Sequence, residues 1–162
     1  MIRIIGIDPG LANTGYGIIE VSGSRYRAVH YGVITTDSGL KPGKRLKIIY
    51  DALSEVFVGY QPQEASIEDL FFAKNISSAF PVAQAKGISL LLCEQKGIPA
   101  YEYPPPAIKQ AIVGRGRAEK AQVQELTKVL LGLDTIPKPD HAADALAAAI
   151  CHYNNRNFIN RM

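Results

Sequence analysis

Two acidic residues end short apolar runs of the chain. Asp8 follows the run of residues 3–7 and precedes a Pro-Gly turn, and Glu68 follows the run of residues 65–67. Ligands of open α/β sheets bind beyond the carboxyl ends of the strands. An acid that ends a short buried strand has few structural roles, so the pair predicts a functional site at one edge of a sheet.

A second group of ionisable residues opens the last apolar segment. His141 and Asp144 are three residues apart and therefore share one face of a helix, with Asp140 directly before them. If the strands that end in Asp8 and Glu68 are neighbours, this helix can bring His141 and Asp144 over the same point. Hard oxygens with one imidazole suit Mg²⁺ or Mn²⁺, and divalent cations relieve the repulsion between crowded carboxylates.

Each of these residues also has an ordinary structural interpretation. Acids in the first turn of a helix are favoured by capping and by the helix dipole, which accounts for Asp140 or Asp144 taken alone. Asp8 before Pro-Gly is a common turn residue, and a lone histidine near a helix start is usually structural or exposed. The prediction of a metal site therefore rests on the combination.

Basic and aromatic residues supply candidate contacts with nucleic acid. One basic cluster opposes only Glu119 and consists of Lys109, Arg115, Arg117 and Lys120. A second contains Lys41, Lys44, Arg45 and Lys47, for which a solvated basic face is an equally good interpretation. Such clusters suit phosphate backbones. Phe71 and Phe72, followed by Lys74, lie in a predicted loop, where an exposed ring could stack on a base or wedge a junction; core packing is the alternative.

The elements that must position these residues follow from the apolar periodicity. Three β-rich runs joined by short links, at residues 3–7, 14–21 and 26–36, predict an antiparallel meander. Helical periodicity over residues 43–60 and 76–96 alternates with short strands at 65–68 and 100–103, which predicts strands parallel to the first. Helices are expected at residues 107–113, 119–132 and from about 140. We therefore predict an α/β fold with a mixed five-stranded sheet flanked by helices.

Length and composition exclude several classes of protein. The chain has 162 residues, a length that predicts one domain, over residues 1–154. Its net charge of +3 says little about nucleic acid by itself. Residues 155–162 are predicted to be a disordered polar tail. The apolar runs are too short to span a membrane, and Asp8 interrupts any signal peptide. Cys93 and Cys151 lack metal-like spacing, so a cytoplasmic protein with reduced thiols is expected.

A series of short motifs resembles one known family. The motifs are IGIDPG at residues 5–10, TGYG at 14–17, IEDLFFAKN at 67–75, QAKG at 84–87, IKQ at 108–110, GRGRAEKAQV at 114–123 and HAADALA at 141–147. Together they resemble the RuvC Holliday-junction resolvases, bacterial endonucleases of the ribonuclease H-like superfamily. The resemblance extends over about residues 2–153 and implies a ribonuclease H-like fold.

The resemblance also implies the site residues and the reaction. The family's metal-binding catalytic positions fall on Asp8, Glu68, His141 and Asp144. Many members carry Asp where this chain has His141, so this residue is expected either to bind metal or to transfer protons, with Asp140 as an alternative ligand. The implied reaction uses two Mg²⁺ per subunit, or Mn²⁺, and makes two symmetric nicks that leave 5′-phosphate ends.

DNA contacts and partners are implied in the same way. The family's junction-probing aromatic falls on Phe71 and its DNA-contacting lysines on Lys109 and Lys120, to which we add Lys74, Arg115 and Arg117. The implied partners are a four-way DNA junction, a second copy of the chain and the RuvA–RuvB branch-migration complex. Two alternatives stay open: a related nuclease for hybrids or other branched substrates, and an inactive junction-binding module.

Overall fold

A mixed five-stranded sheet forms the centre of the molecule. The computed structural model describes residues 1–70 and 76–159, with side chains of the last helix described through residue 156. The strands are β1 (Ile2–Asp8), β2 (Asn13–Ser22), β3 (Arg25–Thr35), β4 (Glu64–Glu68) and β5 (Ala100–Tyr103). Their order is β3-β2-β1-β4-β5, antiparallel from β1 to β3 and parallel from β1 to β5. The predicted meander followed by parallel strands is confirmed.

Five helices are described around this sheet. They are α1 (Pro42–Tyr60), α2 (Ile76–Lys96), α3 (Pro105–Val113), α4 (Lys120–Leu130) and α5 (Asp140–Ile159). Helices α1 and α3 begin one and two residues earlier than predicted because a proline occupies the first turn of each. Proline has a backbone angle suited to that position and no N–H group that needs a partner there.

The helices form two layers, one on each face of the sheet. Side chains alternate between the faces along a strand. In β1, Ile5 and Ile7 therefore pack in the core with α1 and α2, whereas Ile4 packs in the second core with α3, α4 and α5. Asp8 is four positions after Ile4 in the same strand, so its side chain is on the same face as that of Ile4. Its carboxylate therefore points to the face covered by α5.

Helix α5 lies unusually close to the sheet because glycines face it. A methyl group at Gly6 would lie 1.8 Å from the carbonyl oxygen of Ala145, and one at Gly15 would lie 2.0 Å from the carbonyl oxygen of His141. On β4, Ser66 donates a hydrogen bond to the carbonyl of Ala148 at 2.6 Å. These contacts fix the height of α5 above β1, β2 and β4.

In the described part of the chain, α5 continues through Ile159, so residues 155–159 are helical where the sequence predicts a polar tail; residues 160–162 lie outside the described residues. Two contacts explain the longer helix. Arg156 makes an ion pair with Glu64 at 2.7 Å, and the side chain of Asn155 donates to the carbonyl of Cys151 at 2.8 Å. A polar composition therefore did not prevent ordering here, because Arg156 has a carboxylate partner on β4.

Helix α2 combines a buried face with an apolar exposed one. Among the described helices it alone is long and apolar enough to cross a membrane, by length and composition only. Its Lys86 makes ion pairs with Asp69 and Glu102, and its Ala85 and Leu92 are fully buried in the core. These contacts make α2 part of the folded domain.

Candidate metal and nucleic-acid site

The carboxylates of Asp8 and Glu68 meet at one edge of the sheet. Strands β1 and β4 are parallel neighbours, with Ile7 opposite Ile67, so the residues that follow end side by side. The two carboxyl groups are hydrogen-bonded to each other. The adjacency expected from the two strand ends is therefore present.

The first turns of α5 bring two further side chains to this edge. His141 Nδ1 lies 2.8 Å from Asp8 Oδ2, and ligand atoms of Asp8, His141 and Asp144 all lie within 4.8 Å of one another. Asp140 is outside this group, and its carboxylate instead accepts a hydrogen bond from Gln124 at 3.1 Å. The spacing of 141 and 144 thus brings together the residues that the sequence indicated.

Burial and repulsion between like charges make this site favour a cation. Only 6% of Asp8 is exposed to solvent. Burial, reinforced by the charge of Asp144, raises the pKa of Asp8 to about 7. Burial also raises the pKa of Glu68 to about 8, with the charges of Asp8 and Asp144 adding to the effect. The two carboxylates therefore retain protons near neutral pH, which a bound cation would displace.

The donor set fits a divalent metal ion. Three carboxylates and one imidazole surround the same pocket, and their oxygens are the ligands that Mg²⁺ and Mn²⁺ prefer. The raised pKa values of Asp8 and Glu68 indicate negative charge that the surrounding protein leaves uncompensated. This pattern is what neighbouring buried carboxylates give before a cation neutralises them.

Two lysines line the same pocket, which has a volume of about 380 Å³. Lys120 Nζ lies 3.1 Å from Asp144 Oδ2 and 3.6 Å from Asp140 Oδ2, and Lys109 also lines the pocket. Burial opposes the charged form of Lys120, but the hydrogen bond to Asp144 and the nearby acids outweigh it and raise the pKa of Lys120. The ion pair between Lys120 and Asp144 has no counterpart in the sequence analysis, since 24 residues separate them and no periodic pattern links them.

The remaining wall of the pocket is apolar. It is formed by Leu70, Pro105, Ile108, Val123 and Ala147. The sequence analysis did not select these residues as part of a site, because apolar side chains carry no signal of their own for metal or phosphate binding. The pocket thus places charged groups on one side and a low-dielectric surface on the other, which strengthens electrostatic interactions within it.

The other predicted DNA-binding residues lie elsewhere. Arg115 and Arg117 are exposed in the loop between α3 and α4 and do not line the pocket. Phe71 and Lys74 lie outside the described residues. The structure therefore brings together six of the residues selected from the sequence, namely Asp8, Glu68, Lys109, Lys120, His141 and Asp144.

Comparison with solved structures shows a similar fold over nearly the whole chain. The structure of "T. thermophilus RuvC in complex with Holliday junction substrate" superposes with a TM-score of 0.93, covering 98% of this chain and 96% of that one at 33% identity. The yeast mitochondrial Holliday junction resolvase superposes with a TM-score of 0.66, covering 98% and 83% at 15% identity. The second likeness, at that identity, concerns the fold alone.

Sequence comparison gives the family. The model of the family described as "Crossover junction endodeoxyribonuclease RuvC" matches residues 4–152. Proteins of that name are 46% identical in Caldanaerobacter subterraneus subsp. tengcongensis, over 99% of this chain and 97% of the relative, and 54% identical in Treponema denticola, over 93% and 85%. Because the family model covers most of the chain and these relatives are 46% and 54% identical to it over nearly its whole length, this chain belongs to the RuvC family of crossover junction endodeoxyribonucleases.

Proposed function

We propose that the chain is a metal-dependent endonuclease that resolves Holliday junctions in DNA recombination and repair. It makes two symmetric nicks and leaves 5′-phosphate ends. The observation that carries the proposal is the cluster of Asp8, Glu68, His141 and Asp144 in one lysine-lined pocket of a RuvC-family chain. The name of the similar Thermus thermophilus structure, which contains a Holliday junction substrate, supports the choice of DNA substrate.

Two Mg²⁺ ions per subunit, for which Mn²⁺ can substitute, would be held by Asp8, Glu68, His141 and Asp144. When bound, such ions acidify an attacking water and stabilise the leaving 3′ oxygen of an in-line displacement. Asp8 is hydrogen-bonded to Glu68, and the 2.8 Å contact from His141 orients its carboxylate. Cations held there would favour the ionised forms of Asp8 and Glu68.

The basic residues bind and orient the DNA backbone. Lys109 and Lys120 lie at the pocket itself, where Lys120 can exchange its contact with Asp144 for a phosphate oxygen. The exposed Arg115 and Arg117 extend the positive charge along the loop between α3 and α4. From the family resemblance, Phe71 probes the junction. Lys74, which follows it in a basic and aromatic stretch of the sequence, is our own addition to the DNA contacts.

A homodimer would explain the exposed face of α2 and supply the second nick. Ile76, Phe80 and Leu91 are 73%, 63% and 49% exposed, and at 3.6 residues per turn they form one stripe opposite the buried face. A second copy seated on this stripe would cover it.

We expect the wild-type chain to be a dimer in light scattering, and Phe80→Asp to be a folded monomer that no longer makes paired nicks. A wild-type monomer would contradict this part of the proposal.

Two further expectations come from the family. The dimer would act with the RuvA–RuvB branch-migration complex, and it would do so in the cytoplasm. Neither expectation depends on the geometry of the pocket, so the activity of the isolated chain does not test them.

A cleavage assay on a synthetic mobile four-way junction tests the proposed function. We compare Mg²⁺ with EDTA, and the junction with a linear duplex carrying the same arms. Paired, symmetric, metal-dependent nicks on the junction alone are expected. Cleavage of an RNA–DNA hybrid or a flap instead would indicate a related nuclease. Tight binding without cutting in Mg²⁺ and in Mn²⁺ would indicate an inactive junction-binding module.

A further inference from the structure

A second basic cluster lies at the start of α1, and we refer to Lys41, Lys44 and Arg45 as the α1 basic cluster. Lys41 and Lys44 are exposed, and among the described residues no ion pair reaches any of the three. Lys47, one turn further along, is already paired with Asp51. The cluster therefore presents positive charge without an acidic partner in the described part of the chain.

Arg45 is held in place at the edge of the sheet that carries Asp8. Its Nε donates to Thr36 Oγ1 at 2.8 Å, and Thr36 Oγ1 in turn donates to the carbonyl of Leu11 at 2.6 Å. Thr36 N also donates to the carbonyl of Ala12 at 3.0 Å. Leu11 is three residues beyond Asp8, so its Cα lies within about 11 Å of the Cα of Asp8. A chain of contacts therefore ties the guanidinium to the turn that follows Asp8.

This anchoring leaves most of the guanidinium available. Arginine has five N–H donors in a planar fork, and the bond to Thr36 uses one of them. The free terminal nitrogens suit bidentate binding of a phosphate. Because the Thr36 contact already restrains the side chain, less conformational entropy is lost when an anion binds. A merely solvated arginine has no such restraint.

The α1 basic cluster and the pocket lysines approach the edge of the sheet from opposite faces. Helix α1 packs in the core on one face, whereas Lys109 and Lys120 belong to helices α3 and α4 on the other. Asp8 and Glu68 end their strands at this edge, with their carboxylates on the same face as Lys109 and Lys120. A DNA strand that crosses this edge with a phosphate at Asp8 would have its backbone near both basic groups.

We propose that the α1 basic cluster binds the sugar-phosphate backbone of a junction arm on the α1 side of the metal site, with Arg45 as a phosphate-positioning residue. This inference rests on the proposed function, because it takes the junction as the ligand. The cluster contributes to affinity and to the placement of the strand. It reads no base sequence, since phosphate contacts carry none.

Salt dependence of junction binding tests this inference. We measure binding of a four-way junction in EDTA, where no cutting occurs, at several salt concentrations. The variants are Lys44→Gln, Arg45→Gln and the double variant, with Lys96→Gln as the control. Lys96 is also an exposed helical lysine, but it lies in the last turn of α2, which leads to the start of β5 at the opposite edge of the sheet.

Counterion release gives the expected size of the effect. Each lost phosphate contact lowers the slope of log affinity against log salt by about 0.9, which is about a five-fold rise in Kd at 0.15 M salt. The double variant should therefore bind about 30-fold more weakly with a slope lower by about 1.8. Lys96→Gln should bind like the wild type. Arg45→Lys keeps the charge without the fork and should fall between wild type and Arg45→Gln.

The outcomes separate this inference from the proposed function. If the wild type cuts junctions while the double variant binds with an unchanged slope, or Lys96→Gln weakens binding equally, the inference is wrong and the proposed function stands. If the wild type neither binds nor cuts the junction, the proposed function fails. Should Arg45→Gln lose its cooperative melting transition, Lys44→Gln decides alone, because the exposed Lys44 can be replaced without loss of a described contact.

Discussion

Strand β4 carries a glutamate at each end, both on the face covered by α5, yet the two ends differ in electrostatics. Glu64 meets His152 at 2.6 Å and Arg156 at 2.7 Å. Burial opposes ionisation of Glu64, but these partners outweigh it and lower its pKa. Glu68 at the other end meets Asp8 and Asp144, and its pKa is raised. The first cluster is compensated within the protein, whereas Lys120 leaves part of the negative charge of the second uncompensated.

The difference follows from the partners that α5 supplies to each end. His152 is 1% exposed, and burial lowers its pKa despite the contact with Glu64. A neutral ring can accept from Tyr103 at Nδ1, 2.8 Å away, while it donates to Glu64 from Nε2. Arg156 then provides the charge. Near Asp8, α5 supplies a histidine and a further acid instead. The same two elements thus build a stabilising network at one end and a cation-binding site at the other.

The largest expected effect comes from the uncompensated end. Asp8→Asn and Glu68→Gln should each lower the junction-cleavage rate by at least about 10³-fold, equivalent to about 4 kcal/mol in the activation free energy. Each removes a carboxylate ligand from the metal site. Single-turnover cleavage in Mg²⁺ gives the rate, and binding in EDTA should stay within about two-fold of wild type because the lysines remain. A rate near wild type for Asp8→Asn would refute the proposed role of that residue.

Replacing the acid at the compensated end should affect stability instead. Glu64→Gln leaves Arg156 without its counter-charge and should lower the free energy of unfolding by about 2 kcal/mol. Urea unfolding followed by circular dichroism measures this change. Arg27→Gln is the control, since the exposed pair of Arg27 with Glu20 is worth at most about 1 kcal/mol. If folded Glu64→Gln cleaved junctions more slowly and kept its stability, the assignment of the Glu64 end to stability and of the Glu68 end to cleavage would be wrong.

The pH dependence of stability should sharpen the comparison. Folded Asp8 and Glu68 have pKa values of about 7 and about 8, above their ordinary values of 3.8 and 4.5, so the folded state binds more protons between these limits. Stability of the metal-free protein therefore falls as pH rises from about 4 to 8.

Asp8→Asn should remove much of this loss and be more stable than wild type in EDTA at pH 8, on the order of 2 kcal/mol. The lowered pKa of His152 has the opposite pH dependence, with stability lost as pH falls, but it contributes equally to both proteins and cancels in their difference. Urea unfolding from pH 5 to 8 tests this. Parallel profiles for the two proteins would mean that Asp8 does not retain a proton.

The smallest effect is expected at the edge of the compensated network. Tyr103→Phe removes one hydrogen bond to His152 and leaves Nδ1 of the ring without a partner, which should cost about 1 kcal/mol. Tyr26→Phe, which loses a hydrogen bond to Asn154 in a more exposed place, is the matched control and should cost less. Equal losses of unfolding free energy in the two variants would show that the burial of His152 does not strengthen its hydrogen bond with Tyr103.

Much of the fold and part of the candidate site are predictable from local patterns. The bounds of α2 and β5 agree with the sequence prediction because their periodicity and flanking Pro and Gly residues are local signals. The meeting of Asp8 and Glu68 follows from their positions at parallel strand ends. The Glu64–Arg156 pair joins residues 92 positions apart, and no periodic pattern marks it. The sequence therefore carries no local signal that α5 continues through Ile159.

The glycines beneath α5 have a consequence for how this protein can change. At Gly6 and Gly15 the helix backbone rests directly on the sheet, so there is no side chain there whose trimming or repacking could adjust the distance. Buried alanines such as Ala145 and Ala149 continue the same close approach along α5. The separation of Asp8 from His141 and Asp144 therefore depends on Gly6 and Gly15 having no side chain. Any mutation at Gly6 or Gly15 adds at least a methyl group. Mutation at these two positions can therefore increase the distance between α5 and the sheet but cannot reduce it.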